Sequence, residues 1–165
     1  MAVRRVYMDS SAITKRYVRE EGTETAQAIY SMAETGSLML IHSIWNIGEV
    51  LGVLDQYRRR GWISDEQYDH AVTNFASEVL KLLRLSSLTI MPVASRMAVE
   101  SWPLIQKYHI YGADALQIVS SKYSGCEVMI TADESLVDAA TSEGLKAFNL
   151  ESQHKEIIGE LGEQL

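Results

Sequence analysis

The chain has 165 residues, of which 47% are hydrophobic and 22% are charged, a composition that excludes a disordered or fibrous protein and suits one folded domain. Its formal net charge of −7 argues against a protein that grips nucleic acid by overall basicity. The single cysteine, Cys126, cannot form an internal disulfide, and no apolar run reaches the roughly 20 residues of a membrane helix, so we expect a cytoplasmic protein.

The first half of the chain alternates short apolar segments, which predict strands, with longer segments that predict helices. Residues 3–8 predict a strand that ends at Asp9, and Ser10 or Ser11 can cap a helix that runs to about Glu20. The other elements predicted in this half are a helix over 23–35, a strand over 38–41 and a helix from Ser43 to about Arg60.

The second half begins with the clearest helix, over 64–84, in which Ser64 and Gln67 form a capping-box pattern. Because a short turn separates it from the preceding helix, the two should form an antiparallel hairpin. The remaining predicted elements are a strand over 88–91, a helix over 95–109 that Pro103 kinks or begins, a helix over 112–123, a strand over 127–130, a helix over 134–143 and a strand over 145–148.

Strands that alternate with helices along the chain predict the α/β class. We expect a central parallel sheet with helices on both faces (α/β/α) and the helical hairpin protruding from it. Residues 1–150 are interpreted as a single domain, because no repeat, low-complexity stretch or linker interrupts them. Residues 151–165 form a C-terminal tail that can adopt a short helix, although Gly159 and Gly162 disfavour one.

Two carboxylates follow predicted strands directly. Asp9 comes after Val6-Tyr7-Met8, and Asp133 comes after the apolar segment 128–132. In open α/β sheets, ligand sites form at the carboxyl ends of the strands. Aspartate also commonly caps the helix that follows a strand, so a capping role stays open for both residues.

Two further acids interrupt apolar helices. Between Ile44 and Leu54 the only polar residues are Asn46 and Glu49, and Asp114 is the only charged residue in 110–121. A charge in such surroundings needs a metal ion or a basic partner. Neither segment contains lysine or arginine, which favours metal. A partly hydrated position for Glu49, and a capping or helix-dipole role for Asp114, remain alternatives.

The residue types select the metal and the chemistry. Carboxylates suit Mg²⁺ or Mn²⁺, whereas zinc prefers His and Cys, and the four histidines are scattered without metal-ligand spacing. The chain has no nucleophile elbow and no glycine-rich phosphate loop. Carboxylates around a hard divalent ion therefore indicate phosphoryl chemistry.

Four segments, in order, resemble the PIN-domain family, and in particular its VapC-type toxin ribonucleases. They are Val6-Tyr7-Met8-Asp9-Ser10-Ser11-Ala12, the helix around Glu49, the triplet Asp114-Ala115-Leu116, and Ile130-Thr131-Ala132-Asp133 followed by Ala139-Ala140 and Gly144-Leu145. The similarity runs from about residue 3 to 150. The helix after Asp114 departs from the family, since Gln117-Ile118-Val119-Ser120-Ser121 replaces an alanine-rich stretch and makes the partner surface uncertain.

The resemblance implies a PIN-like fold in which Asp9, Glu49, Asp114 and Asp133 surround one or two Mg²⁺ or Mn²⁺ ions. Ser10 or Ser11 would then hydrogen-bond beside the first acid, and Thr131 would support Asp133. The implied reaction is hydrolysis of RNA phosphodiester bonds, leaving a 3′-hydroxyl and a 5′-phosphate. A homodimer and a cognate antitoxin are implied as partners. On the helix beside Asp9, Lys15 and Arg16 are predicted to contact the RNA.

Two other classes of function compete with this interpretation. A PIN module that binds RNA or protein without cleaving it is disfavoured, because degenerate members usually lose one of the acids. A metal-dependent phosphatase of the haloacid-dehalogenase type needs a second aspartate two residues after the first, where this chain has Ser11. The sequence therefore favours the ribonuclease.

Overall fold

The computed structural model describes residues 3–162 of the chain. Its strands are β1 (Arg4–Met8), β2 (Leu38–Ser43), β3 (Leu88–Met91), β4 (Val128–Thr131) and β5 (Ala147–Asn149). Its helices are α1 (Ser10–Thr14), α2 (Thr23–Glu34), α3 (Ile44–Arg59), α4 (Asp65–Arg84), α5 (Ser95–Tyr108), α6 (Gly112–Ser124), α7 (Glu134–Ser142) and α8 (His154–Gly162). No helix in this range is long and apolar enough to cross a membrane.

The five strands form one parallel sheet in the order β3-β2-β1-β4-β5. From β1 the chain winds outward through β2 to β3, and then returns to the other side of β1 to form β4 and β5. The order of winding therefore reverses between β1 and β4, which are hydrogen-bonded neighbours. In parallel sheets this reversal opens a crevice at the carboxyl ends of the two strands, and ligands bind there.

Helices cover both faces of the sheet, as predicted. Alternate residues of a strand point to opposite faces, so Val6 and Met8 pack in one buried cluster and Tyr7 packs in another. The first cluster contains side chains of α2, α3, α4 and α8, and the second contains side chains of α5, α6 and α7. The result is the three-layer α/β/α arrangement.

The hairpin of α3 and α4 is also as predicted. Gly61 adopts a left-handed conformation (φ +71°) directly after α3, where glycine bears no side-chain strain. Ser64 then caps α4 in a reciprocal capping box with Gln67. Leu54 of α3 and Phe75 of α4 are buried in the same cluster, which joins the base of the hairpin to the sheet.

The helix after β1 is shorter than predicted, since α1 ends at Thr14 and not near Glu20. Past Thr14 the chain turns, and the side chains of Lys15 and Arg16 pair with carboxylates of distant segments. These contacts form across the tertiary structure, so the local sequence pattern did not indicate where the helix ends.

The last strand begins later than predicted, at Ala147 and not at residue 145. Leu145 instead closes the preceding helix, because its N–H donates to the carbonyl of Ala140 (3.0 Å). Gly144, at φ +86°, donates to the carbonyl of Thr141 (2.9 Å). These two bonds form a Schellman C-cap, which favours glycine at the left-handed position.

The predicted tail contains a regular helix, α8, that packs beside α2. Its Ile157 and Leu161 are buried in the cluster that contains Val6 and Met8. Residues 163–165 of this tail lie outside the described part of the chain, as do residues 1 and 2. Within the described part, α8 is integrated into the main core.

Candidate functional site

Asp9 lies at the carboxyl end of β1 and is only 4% exposed. One carboxylate oxygen, Oδ1, accepts hydrogen bonds from the Ala12 N–H (2.9 Å) and the Ser11 hydroxyl (2.7 Å). The other, Oδ2, accepts from the Thr131 hydroxyl (2.8 Å). Asp9 is therefore the N-cap of α1, and the prediction that Ser10 or Ser11 caps this helix is wrong. Both serines already belong to the helix, so Asp9 is the residue placed to reach the N–H of its third residue.

The residues after β4 are tied to the same carboxylate. Besides donating to Asp9, the Thr131 hydroxyl accepts from the Asp133 N–H (3.1 Å). The Ser11 hydroxyl in turn accepts from the Ala132 N–H (2.9 Å). Thr131 thus supports the backbone of Asp133 while its own proton stabilises Asp9.

Asp133 caps α7, as the structural alternative anticipated. Its Oδ1 accepts from the N–H groups of Ser135 (2.8 Å) and Leu136 (3.2 Å) and from the Ser135 hydroxyl (2.6 Å). Within residues 3–162 its Oδ2 accepts no hydrogen bond. One oxygen therefore caps the helix, and the other is available to a ligand in the crevice.

Glu49 is half-buried near the N-terminal end of α3. Its Oε2 accepts from the Ser10 hydroxyl (2.8 Å) and from Nε2 of Gln117 (2.8 Å). Ser10 therefore contacts the second acid of the site, and Ser11 contacts the first. Two neutral donors, one from α1 and one from α6, hold the carboxylate at the edge of the sheet.

Gln117 is a positioning residue that the sequence interpretation missed. Its Oε1 accepts from Nδ2 of Asn46 (2.9 Å) and from the Tyr7 hydroxyl, while its Nε2 donates to Glu49. Asn46 also accepts from the Ser43 N–H (2.7 Å), which fixes the start of α3. A glutamine among the apolar residues Ala115, Leu116, Ile118 and Val119 was the signal that could have identified this network.

We expect Gln117→Leu to lower the free energy of unfolding by about 1–3 kcal/mol. The substitution leaves the buried Nδ2 of Asn46 without its acceptor and removes the closer of two acceptors of the Tyr7 hydroxyl, the other being Oδ1 of Asn46 (3.3 Å). Urea denaturation measures the effect, and Gln106→Leu on the exposed surface of α5 is the matched control, expected within about 0.5 kcal/mol of wild type. Equal stability of the two variants would mean that the network contributes nothing.

The electrostatics of the site connect all four acids. Burial, followed by the charges of Asp133 and Glu49, raises the pKa of Asp114 to about 6. Burial also raises the pKa of Asp9 to about 6, against its hydrogen bonds, and the charge of Asp114 adds to the increase. Burial is the larger cause of both pKa shifts, because it destabilises the charged carboxylate, and the neighbouring carboxylates add to it. The fold thus brings acids from four separate segments to one crevice.

No lysine or arginine among the described residues neutralises this cluster. Within residues 3–162, none of Asp9, Glu49, Asp114 and Asp133 forms an ion pair, although ten of the fifteen lysine and arginine residues form one elsewhere. The possibility that a basic partner comes from another segment is therefore removed for the part of the chain described.

The donor set suits Mg²⁺ or Mn²⁺ in chemical type, since it consists of carboxylate oxygens. As placed, however, no three Asp, Glu, His or Cys side chains within residues 3–162 converge closely enough to hold one ion. Like charges repel, and three of the carboxylates turn toward hydrogen-bond donors. Binding of a cation would therefore require these carboxylate side chains to rotate toward one another. Oδ2 of Asp133, which accepts no hydrogen bond within residues 3–162, could bind the cation without losing one.

The structure gives no support to Lys15 and Arg16 as RNA-binding residues. Lys15 is buried and pairs with Glu151 and with Glu20 (3.4 Å). Arg16 binds Glu78 through Nε (3.1 Å) and Nη2 (2.7 Å). Both cations are already neutralised by carboxylates of the protein, and they join α1 to other segments.

The chain is similar in fold to several proteins of known structure. No curated protein matches the chain. Among the similar solved structures, PAE2754 from Pyrobaculum aerophilum is 15% identical, with a TM-score of 0.58, and the match covers 95% of this chain and 97% of that chain. VapC20 from Mycobacterium tuberculosis, described as a sarcin-ricin loop cleaving toxin, is 14% identical, with a TM-score of 0.59, and the match covers 85% of this chain and 95% of that chain. FitAcB from Neisseria gonorrhoeae is 14% identical, with a TM-score of 0.61, and the match covers 88% of this chain and 97% of that chain. At these identities the likeness establishes the fold.

The PIN domain profile matches residues 6–141, a span that contains all four acids. It begins in β1, just before Asp9, and ends in α7, which Asp133 caps. The match covers most of the chain. The chain belongs to the PIN domain family.

Proposed function

We propose that the chain is a divalent-metal-dependent endoribonuclease that hydrolyses RNA phosphodiester bonds. The observation that carries the proposal is the cluster of four carboxylates at the reversal of the sheet in a PIN chain, with the pKa of Asp9 and of Asp114 each raised to about 6. A cluster of acids without cationic partners suits a binder of divalent ions. PIN domains are generally nucleases, which supports this choice of reaction.

In this proposal Asp9, Glu49, Asp114 and Asp133 hold one or two Mg²⁺ or Mn²⁺ ions. The bound ions supply the positive charge that activates a water molecule and stabilises the phosphate in the transition state. The surrounding residues orient the ligands. Ser11 and Thr131 fix Asp9, while Ser10 and Gln117 fix Glu49.

The biological role that we propose is that of the toxin in a toxin–antitoxin pair. It rests on the structural likeness to VapC20, described as a toxin that cleaves the sarcin-ricin loop. The proposal includes a cognate antitoxin protein and a homodimer as partners of this chain.

Incubation of the purified protein with single-stranded RNA, single-stranded DNA and a chromogenic phosphate monoester tests the reaction. We expect RNA cleavage with Mg²⁺ or Mn²⁺ and none with EDTA. Glu49→Gln, purified in parallel, controls for contaminating nucleases. Binding of RNA without cleavage would indicate a non-catalytic PIN module, and hydrolysis of the monoester alone would indicate a phosphatase.

Metal binding should also be visible as a gain in stability. We expect millimolar Mn²⁺ to raise the melting temperature by several degrees, since a ligand that binds only the folded state at about 100 times its Kd stabilises it by about 2.7 kcal/mol. Differential scanning fluorimetry measures the shift. The control is NaCl at the same ionic strength and without divalent ions. An unchanged melting temperature would argue that the acids bind no ion.

A further inference from the structure

Two exposed aromatic side chains stand beside the acid cluster. Trp45 is 48% exposed, and Tyr111 is 79% exposed. Single exposed aromatic residues are common on protein surfaces. These two, however, lie at the N-terminal ends of α3 and α6, the helices that supply Glu49 and Asp114. Each ring is therefore close in sequence to one acid of the site.

Trp45 lies one turn before Glu49 on α3. Four residues at 3.6 per turn place the two side chains on the same side of the helix, about 6 Å apart along its axis. The intervening Asn46 is hydrogen-bonded to Gln117 of α6 (2.9 Å), which fixes this end of α3 against α6. The indole therefore flanks Glu49 on a rigidly held segment.

Tyr111 is the N-cap residue of α6, three positions before Asp114. Its backbone N–H faces the Asp114 carboxylate, whose charge it stabilises. This contact ties the main chain of Tyr111 to the third acid, while the side chain remains exposed. The phenol therefore flanks Asp114 as the indole flanks Glu49.

The two rings make no polar contact within the part of the chain that the structure describes. Two other exposed aromatic residues have partners: Trp62 packs on Tyr57 with 5.2 Å between ring centroids, and the Tyr123 hydroxyl donates to Glu100 (2.8 Å). Trp102 is exposed without such a partner within residues 3–162, but it lies away from the acids, on α5. Within residues 3–162, the rings of Trp45 and Tyr111 form no aromatic pair, cation contact or hydroxyl hydrogen bond. Their faces are available to a ligand.

We propose that Trp45 and Tyr111 stack the nucleobases on either side of the phosphate held at the acid cluster. The inference rests on the proposed nuclease function and specifies its substrate as an unpaired stretch of RNA. Bases in a duplex are already stacked on their neighbours, so their faces cannot contact these rings. Stacking on a ring face contributes affinity without a basic side chain, which suits a chain with a net charge of −7 in which Lys15 and Arg16 are paired internally.

The test is the affinity for a short fluorescein-labelled RNA, single-stranded or annealed to its complement, measured by anisotropy with Ca²⁺, which carboxylates bind, so that the acids do not repel the phosphate. The variants are Trp45→Ala, Tyr111→Ala and their Phe counterparts. Trp102→Ala is the matched control, because Trp102 is 61% exposed and the Tyr123–Glu100 bond places its helix beside the end of α6 remote from Asp114. Each Ala variant should bind single-stranded RNA about tenfold more weakly, as base stacking on one ring predicts.

The Phe variants should stay near wild type, and the control should be unchanged. Equal affinity of wild type and both Ala variants would overturn the proposal. An unchanged RNA affinity together with an altered sedimentation coefficient would also overturn it. The two rings, with the exposed Ile44, would then contact a second copy of the chain. Failure of the nuclease proposal is distinct: wild type would leave RNA intact with Mn²⁺, whatever the affinity ratios with Ca²⁺.

Discussion

Asp114→Asn is expected to reduce RNA cleavage by about a hundredfold or more, because loss of even an outer-shell contact at a metal site can cost 10- to 100-fold. The amide replaces an anionic oxygen with a neutral group, which lowers affinity for a hard cation. The fold should persist, since Asn can still accept from the Tyr111 N–H that faces this side chain. Initial rates at saturating Mn²⁺ and the far-ultraviolet circular dichroism spectrum measure the two effects.

The structural alternative makes a different prediction for the same variant. If Asp114 serves only the N-terminal turn of α6, its substitution costs the dipole interaction of about 0.3–1 kcal/mol and leaves the rate within a few-fold of wild type. Asp65→Asn is the matched control, because Asp65 lies in the first turn of α4 and is exposed. Similar rates for the two variants would remove Asp114 from the proposed site.

Asp9→Asn should raise the free energy of unfolding of the metal-free protein by about 2 kcal/mol at pH 7.5 while it abolishes cleavage. The burial that raises the pKa of Asp9 from 3.8 to about 6 destabilises the charged carboxylate in the folded protein. A neutral amide of the same shape avoids this cost of about 3 kcal/mol, but its NH2 group cannot accept from the Thr131 hydroxyl, which reduces the net gain to about 2 kcal/mol. Asp69→Asn, an exposed position on α4, controls for the loss of one negative charge.

The gain in stability must depend on pH in a defined direction. Because the folded protein binds the Asp9 proton more tightly than the unfolded chain, wild type loses stability as the pH rises from about 4 to about 6. Above that window the loss is complete and constant. The advantage of Asp9→Asn should therefore be largest above pH 6 and disappear near pH 4. An advantage that is independent of pH in urea denaturation with EDTA would contradict the assignment.

The sequence by itself determined the class of fold and the identity of the acids to examine. Alternation of strands and helices predicted the parallel sheet, and the capping pattern at Ser64 predicted the hairpin, because both depend on local spacing and burial. Carboxylates at strand ends or in apolar helices identified Asp9, Glu49, Asp114 and Asp133 as candidates, because charges in such surroundings need compensation. Their roles as metal ligands stay predictions.

Only the tertiary structure decided which groups surround those acids. Thr131 donates to Asp9 from 122 residues away, and Gln117 donates to Glu49 from 68 residues away. Lys15 and Arg16 show the same dependence on tertiary structure. Their position after the first motif predicted contact with RNA, but they form ion pairs with Glu151 and Glu78, which are distant in sequence. Hydrogen bonds and ion pairs act over a few ångströms in space. The sheet order that brings β4 beside β1, and not spacing along the chain, therefore selects the partners of each carboxylate.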